Sequence, residues 1–360
     1  MGLTGPVWHR YGMLVERTEA KWIDAFARVF ELCGVEAGDH CAVLAETQSR
    51  AINVELSELA LQRLGANVFR VTLPTTAQSA PVPIRSTGAS DAIQGSAPVI
   101  AALSQTTLIA DCTVEGLLHA PELPQLLGSG ARALMVSNEH PEILERLVPD
   151  PALEAKVKIG TKMLRAAKEM RVTSAAGTDL TIDVENAPAG SSWGYTERPG
   201  TIAHWPGGLC LCFPAEGAVN GTLVLDAGDV NLTFKRYTDT PIRCTVENDF
   251  IVDIQGDGVD AALMKSYLEA WGDREAYAVS HVGWGMNPAA RWDSLAMYDK
   301  TQTNGTELRA FGGNFLYSTG ANEVAGRHTL GHFDLPMRGC TVELDGEAVV
   351  KAGTLQGDLA

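Results

Sequence analysis

The sequence has no run near the ~18 consecutive apolar residues that a membrane-crossing helix needs, so no transmembrane helix is expected. Its opening, MGLTGPVWHRYG, lacks the basic start and apolar stretch of a secretory signal. Pro6 stands where N-myristoylation requires Ser or Thr. Positive charge is scarce: 28 Lys and Arg against 44 Asp and Glu give a formal net charge of −16. That balance repels a phosphate backbone and argues against nucleic acid as a partner. A small anionic substrate is still allowed, because a pocket can carry its own Arg or Lys. Cysteine is sparse and odd in number. Cys33, Cys41, Cys112, Cys210, Cys212, Cys244 and Cys340 are scattered along the chain, which reads as reduced thiols in a cytoplasmic protein rather than a disulfide framework. There is no glycine-rich dinucleotide fingerprint and no internal repeat.

What is present fits an ordinary globular chain, with 45% apolar and 20% charged residues. A length of 360 residues exceeds the roughly 250–300 at which one core stops growing, so two domains are expected. Residues 1–174 read as an α/β domain with a largely parallel sheet. Helical spacing over Glu19–Leu32 and Ser49–Leu64 alternates with short apolar strands at His40–Ala45, Asn67–Leu73, Thr107–Ala110 and Ala133–Val136. Pro74–Pro98 reads as an extended surface loop, and Leu153–Met170 as a helix bridging the domains. Residues 175–360 read as an α+β domain that binds metal. Its β-rich segments include Thr222–Leu225, Val246–Ile254 and Thr341–Val350, with a helix over Val259–Trp271 and a hairpin turn at Asp345-Gly346.

The clearest chemistry lies in GHFDLP, where His332 and Asp334 are two residues apart. On an extended strand they point to one face, so an imidazole and a carboxylate can approach the same ion. His281, in SHVGWGMNP, is a candidate third ligand, with His328 as the competing choice. Two imidazoles and one carboxylate form the facial set of non-haem Fe(II) oxygenases, but zinc hydrolases use the same ligand types. A second polar cluster in GTIAHWPGGLCLCFPAEGAVNG offers His204 and Glu216 as acid or base. Glu216 reads equally as a turn carboxylate facing solvent or bridging to Arg236 or Arg243. Cys210 and Cys212 could be a soft-metal pair or the buried side of a strand. Arg327 could bind an anionic group. His40, His119 and His140 are weaker candidates, and Asp111-Cys112 could face an interdomain cleft.

Taken together, HVGWGMNP, FPAEGAVNG and GRHTLGHFDLPMRG resemble the 2,5-dihydroxypyridine 5,6-dioxygenases of bacterial nicotinate and nicotine breakdown. That group is similar in fold to the leucyl aminopeptidases of the thermophilic metallo-aminopeptidase family, and the resemblance covers most of the chain. It implies Fe(II) on His281, His332 and Asp334, with His204 as a histidine for proton transfer. In the aminopeptidases the segment matching Glu216 supplies a metal-binding glutamate. The segment matching His281 has a glutamate as well, and histidine here moves the site from two-metal hydrolysis towards one iron. The resemblance further implies extradiol-like cleavage of a small aromatic substrate by O2 to N-formylmaleamic acid, in a homo-oligomer, with Trp205 or Trp284 available to stack on the ring. A metal-dependent hydrolase using Glu216, a dioxygenase for a related hydroxylated aromatic, and a catalytically silent scaffold are the competing readings.

Overall fold

A computed structural model describes residues 17–77 and 89–360. Strands His40–Glu46, Asn67–Leu73, Leu108–Asp111, Arg132–Val136 and Ile202–Trp205 form a five-stranded parallel sheet. The His40 strand lies between the Asn67 and Leu108 strands, and the Arg132 and Ile202 strands follow. Cys41–Ala45 is buried throughout, as befits a central strand covered on both faces. The Ala20–Leu32 helix buries Trp22, Ala25, Phe26, Val29 and Phe30, the stripe its spacing predicts, and packs against the Ala51–Arg63 helix.

The rest of the described chain builds two further large sheets. One has eight antiparallel strands and includes Glu169–Thr173, Asp179–Asp183, Val219–Leu225 and Thr341–Leu344. The other has five strands in the order Arg327–Met337, Phe315–Asn322, Val279–Gly285, Leu209–Cys212 and Ala189–Ser192. One face of this second sheet points Cys210, Val282, Trp284, Tyr317 and Phe333 into a core shared with the eight-stranded sheet and the Pro151–Ala166 helix. The opposite face is free to carry polar chemistry. The turn at Asp345 and Gly346 has φ of 50° and 87°, the left-handed pair a two-residue hairpin requires.

The α/β and α+β parts are as expected, but the boundary at 174 separates neither sheet. Glu169–Thr173 already belongs to the eight-stranded sheet, while Ile202–Trp205 returns to pair with Arg132–Val136. That returning strand is four residues long, too short to show a period of its own. The bridging helix ends at Ala166, and Met170 lies in the strand that follows. Its start is fixed by Pro151 and by the Asp150 carboxylate accepting from the Ala152 N–H. In the segment read as a loop, residues 78–88 lie outside the described residues, and a helix begins at Ala97. The opening motif, residues 1–12, also lies outside them. Among the described residues no helix is long and apolar enough to cross a membrane.

Candidate metal centre and its cavity

Register brings the candidate ligands together. In the second five-stranded sheet His281 pairs with Ser318, and Ser318 pairs with Asp334. Residues opposite one another share a face, so His281, Ser318 and Asp334 form a row across three strands. His332, two residues before Asp334, shares that face. His281 Nε2 lies 3.9 Å from Asp334 Oδ1, and His332 Nε2 lies 3.3 Å from Oδ2. One ligand atom from each of the three falls within 4.8 Å of the others. Asp334 is 1% and His281 8% exposed. Burial pushes His281 down to about 3, so its ring is neutral at physiological pH. Burial alone would raise the Asp334 carboxyl, but the Arg309 guanidinium and the two histidines hold it well below the carboxylate range.

Gly320 stands opposite His332 at φ +126°, and a Cβ there would meet the Gly331 carbonyl oxygen and lie 3.2 Å from His332 Nδ1. Only glycine accepts that backbone beside the ring. Gly320→Ala is therefore expected to cost about 1–3 kcal/mol of backbone strain and to displace His332. Thermal unfolding and anaerobic metal titration should show a lower Tm and weaker metal binding together.

Asp334 is oriented from two sides. Arg309 Nε donates to Oδ2 at 2.6 Å, and the Ser318 hydroxyl donates to Oδ1. Arg309 sits on the short Thr306–Ala310 helix, whose start is clasped by a residue from the parallel-sheet side. The fully buried Glu139 carboxylate accepts from the backbone N–H groups of Asn304 at 2.7 Å, Gly305 at 2.8 Å and Thr306 at 2.9 Å. The Ser137 and Thr306 hydroxyls meet at 2.7 Å, and Arg146 Nη2 reaches Glu307 Oε2 at 3.1 Å. The loop after the Arg132 strand thus holds the segment that aims Asp334 on the other sheet. Glu139→Gln places an N–H donor among three N–H donors. We expect a loss of about 1–3 kcal/mol for the backbone groups left unpaired, read from denaturant unfolding.

The triad opens onto a cavity of about 280 Å³. Leu209, Leu211 and Leu316 continue the triad's wall, and Asp111, Met135, Ser137, Asn138 and His204 come from the ends of the parallel strands or the loops after them. Ligands are commonly bound outside these carboxyl ends in open α/β sheets. His204 Nδ1 is 2.7 Å from the Pro206 carbonyl oxygen, which can only accept, so Nδ1 carries the hydrogen and Nε2 keeps its lone pair. Burial pushes His204 from 6.5 down to about 4. The unfolded chain therefore binds this proton more readily than the folded one. The associated stability is complete above about pH 6.5 and is lost as pH falls towards 4, by up to about 3 kcal/mol. His204→Gln should flatten the fall of Tm over that window by a corresponding amount.

The sequence pattern of 2,5-dihydroxypyridine 5,6-dioxygenase matches residues 21–357. The chain belongs to this dioxygenase family. A curated 2,5-dihydroxypyridine 5,6-dioxygenase of Pseudomonas putida KT2440 is 36% identical over 340 residues, covering 93% of this chain and 96% of that protein. The solved structure of the 2,5-dihydroxypyridine dioxygenase from the same strain superposes with a TM-score of 0.89 at 35% identity, over 95% of this chain and 99% of that one. AmpT of Thermus thermophilus, an aminopeptidase, superposes with a TM-score of 0.57 at 14% identity, over 94% and 99%. That likeness shows a shared fold.

In this dioxygenase-family chain, several residues singled out in the sequence lie away from the cavity. Glu216 is a correction: it is exposed in the turn before Val219, where Gly217 adopts φ +79°, and lines a separate hollow with Arg274 and Glu275. Trp205 donates Nε1–H to the Leu147 carbonyl and packs on Phe26, while Trp284 is buried on the core face, so neither lines the cavity. His328 is exposed, and Arg327 is buried in an ion pair with Asp249. Cys210 and Cys212 occupy the core side of their strand, and all seven cysteines are unpaired and buried. Asp111 does line the cavity, but Cys112 turns towards Ser57. His119, one of the weaker candidates, stands at the cavity's rim. Arg309, Ser318, Glu139 and Asn138 carried no local signal; only strand register and tertiary packing reveal them.

Proposed function

We propose that the chain is a cytoplasmic, self-associating, Fe(II)-dependent dioxygenase that opens 2,5-dihydroxypyridine between C5 and C6. Both atoms of O2 enter the product, N-formylmaleamic acid, so the reaction balances without another reductant. The observation that carries this reading is the convergence of His281, His332 and Asp334 on one cavity wall, in a chain of this family. The unpaired, buried thiols support a reducing compartment.

The three residues fit an iron ligand set. Among the described residues His281 makes no hydrogen bond: Nδ1 is buried without a partner, and Nε2 is beyond reach of Asp334. A buried imidazole left without hydrogen bonds is costly, and its neutral ring suits a metal better than an ion pair. One carboxylate offsets part of a divalent charge, and three protein ligands leave positions open for exogenous groups. Bound Fe(II) would supply the redox and spin chemistry that O2 requires. The chain's own residues prepare the ring. Leu209, Leu211 and Leu316 present an apolar wall to it and exclude water. The Nε2 lone pair of His204 accepts the proton of the substrate's 5-hydroxyl. Arg309 places positive charge beside the oxygen that loses it.

Anaerobic loading with Fe(II), followed by measured O2 uptake and N-formylmaleamate formation from 2,5-dihydroxypyridine, tests the proposal. Equal consumption of O2 and formation of product supports it. No uptake by fully loaded protein overturns the substrate assignment. Zinc- or manganese-dependent peptide cleavage would instead favour the hydrolase reading.

A further inference from the structure

We propose that Asn138 is a specificity residue that reads the C2–N1 edge of the substrate ring through a paired hydrogen bond. The inference rests on the substrate assignment above. Asn138 follows the Arg132–Val136 strand and lines the cavity from the parallel-sheet side, while the triad lies on the antiparallel side. Its neighbours are committed elsewhere: Ser137 to Thr306 and Asn304, and Glu139 to the backbone of 304–306. Asp111, on the same wall, is also committed, to Thr113 and Leu117. The Asn138 carboxamide is not. Its Oδ1 is buried with no hydrogen-bond partner. An unmade hydrogen bond at a buried polar atom costs free energy that a ligand can recover.

The chemistry of the ring says which ligand edge suits it. A carboxamide presents one acceptor and one donor side by side in a plane. The 2-oxo form of 2,5-dihydroxypyridine presents the complement, a ring N–H beside C2=O. Its 2-hydroxy form presents the reverse order, which the carboxamide meets by turning over. Position 2 is para to position 5, so a ring with its 5-oxygen towards the triad points its 2-oxygen at the opposite wall. His204 comes from the neighbouring parallel strand, where it pairs with Met135, and Ser192 Oγ lies 3.2 Å from its carbonyl oxygen.

Anaerobic equilibrium binding tests this, comparing 2,5-dihydroxypyridine with 3-hydroxypyridine, which keeps the hydroxyl meta to nitrogen but lacks the 2-oxygen. The wild-type chain should prefer the first by about 10-fold to 100-fold. Asn138→Ala should bring the ratio close to one, mainly by weakening 2,5-dihydroxypyridine. Asn138→Asp, which keeps the shape but offers acceptors only, should do the same and covers the case in which the alanine variant fails to fold. A wild-type preference that survives in a folded variant overturns the role of Asn138 alone, since turnover of 2,5-dihydroxypyridine would still stand. A wild-type chain that neither binds nor turns over 2,5-dihydroxypyridine overturns the substrate assignment and this inference with it.

Discussion

Asp334→Asn should reduce Fe(II) binding and ring cleavage to the level of metal-free protein while leaving a folded chain. Asparagine keeps the volume and one acceptor for Arg309 or Ser318, so the strand pairing of Phe315–Asn322 with Arg327–Met337 should survive. What disappears is the negative charge that two neutral imidazoles cannot supply. Asp334→Ala should have the same effect on metal and a larger one on stability, because Arg309 is left without its partner. The full penalty for breaking a buried pair is about 3–5 kcal/mol, but the Arg309 side chain is 22% exposed and water relieves part of it, so the lower end is expected. Calorimetric Fe(II) titration under nitrogen, with circular dichroism as the fold control, checks both variants. An asparagine variant that binds one equivalent of iron and turns over near the wild-type rate would remove Asp334 from the ligand set.

Arg309→Lys should weaken metal binding or activity by about 10–100-fold, the range typical of residues that orient metal ligands. The exchange keeps the charge but not the geometry. Arg309 donates from Nε to Oδ2, from a helix tied at its start by Glu139. A lysine ammonium is a mobile point charge without that planar fork. Ser318→Ala removes the donor to the other carboxylate oxygen and should weaken binding in the same direction. If Arg309 acts through Asp334, the double variant Arg309→Lys, Asp334→Asn should be no worse for metal binding than Asp334→Asn alone. Additive losses would mean that Arg309 acts independently of the ligand.

The parts of this site that could be read from the sequence are those that local geometry fixes. His332 and Asp334 needed only the two-residue period of a strand, and the residues flanking His281 carried a family resemblance. Their meeting depends on a register that runs through Ser318, a residue that looks ordinary in FLYSTGAN. Arg309 lies on a five-residue helix with no amphipathic repeat to mark it, and Glu139 acts on a backbone more than 160 positions away in the chain. Glu216 misled for the opposite reason. The motif around it resembles the family, yet the turn at Gly217 points it to a different hollow. The same contrast holds for the fold. The long buried strands and the Ala20–Leu32 helix follow from composition and spacing, whereas the return of Ile202–Trp205 to the parallel sheet, which positions His204, is a tertiary pairing.

On the proposed reading, one Fe(II) on His281, His332 and Asp334 directs both atoms of O2 into the opened ring. A single turnover of protein loaded with one equivalent of Fe(II), given 2,5-dihydroxypyridine and 18O2, tests it most directly. The expected product is N-formylmaleamate with both new oxygens labelled, formed by the wild-type chain and not by Asp334→Asn. Product carrying label at only one position, or formed equally well by Asp334→Asn, would contradict it.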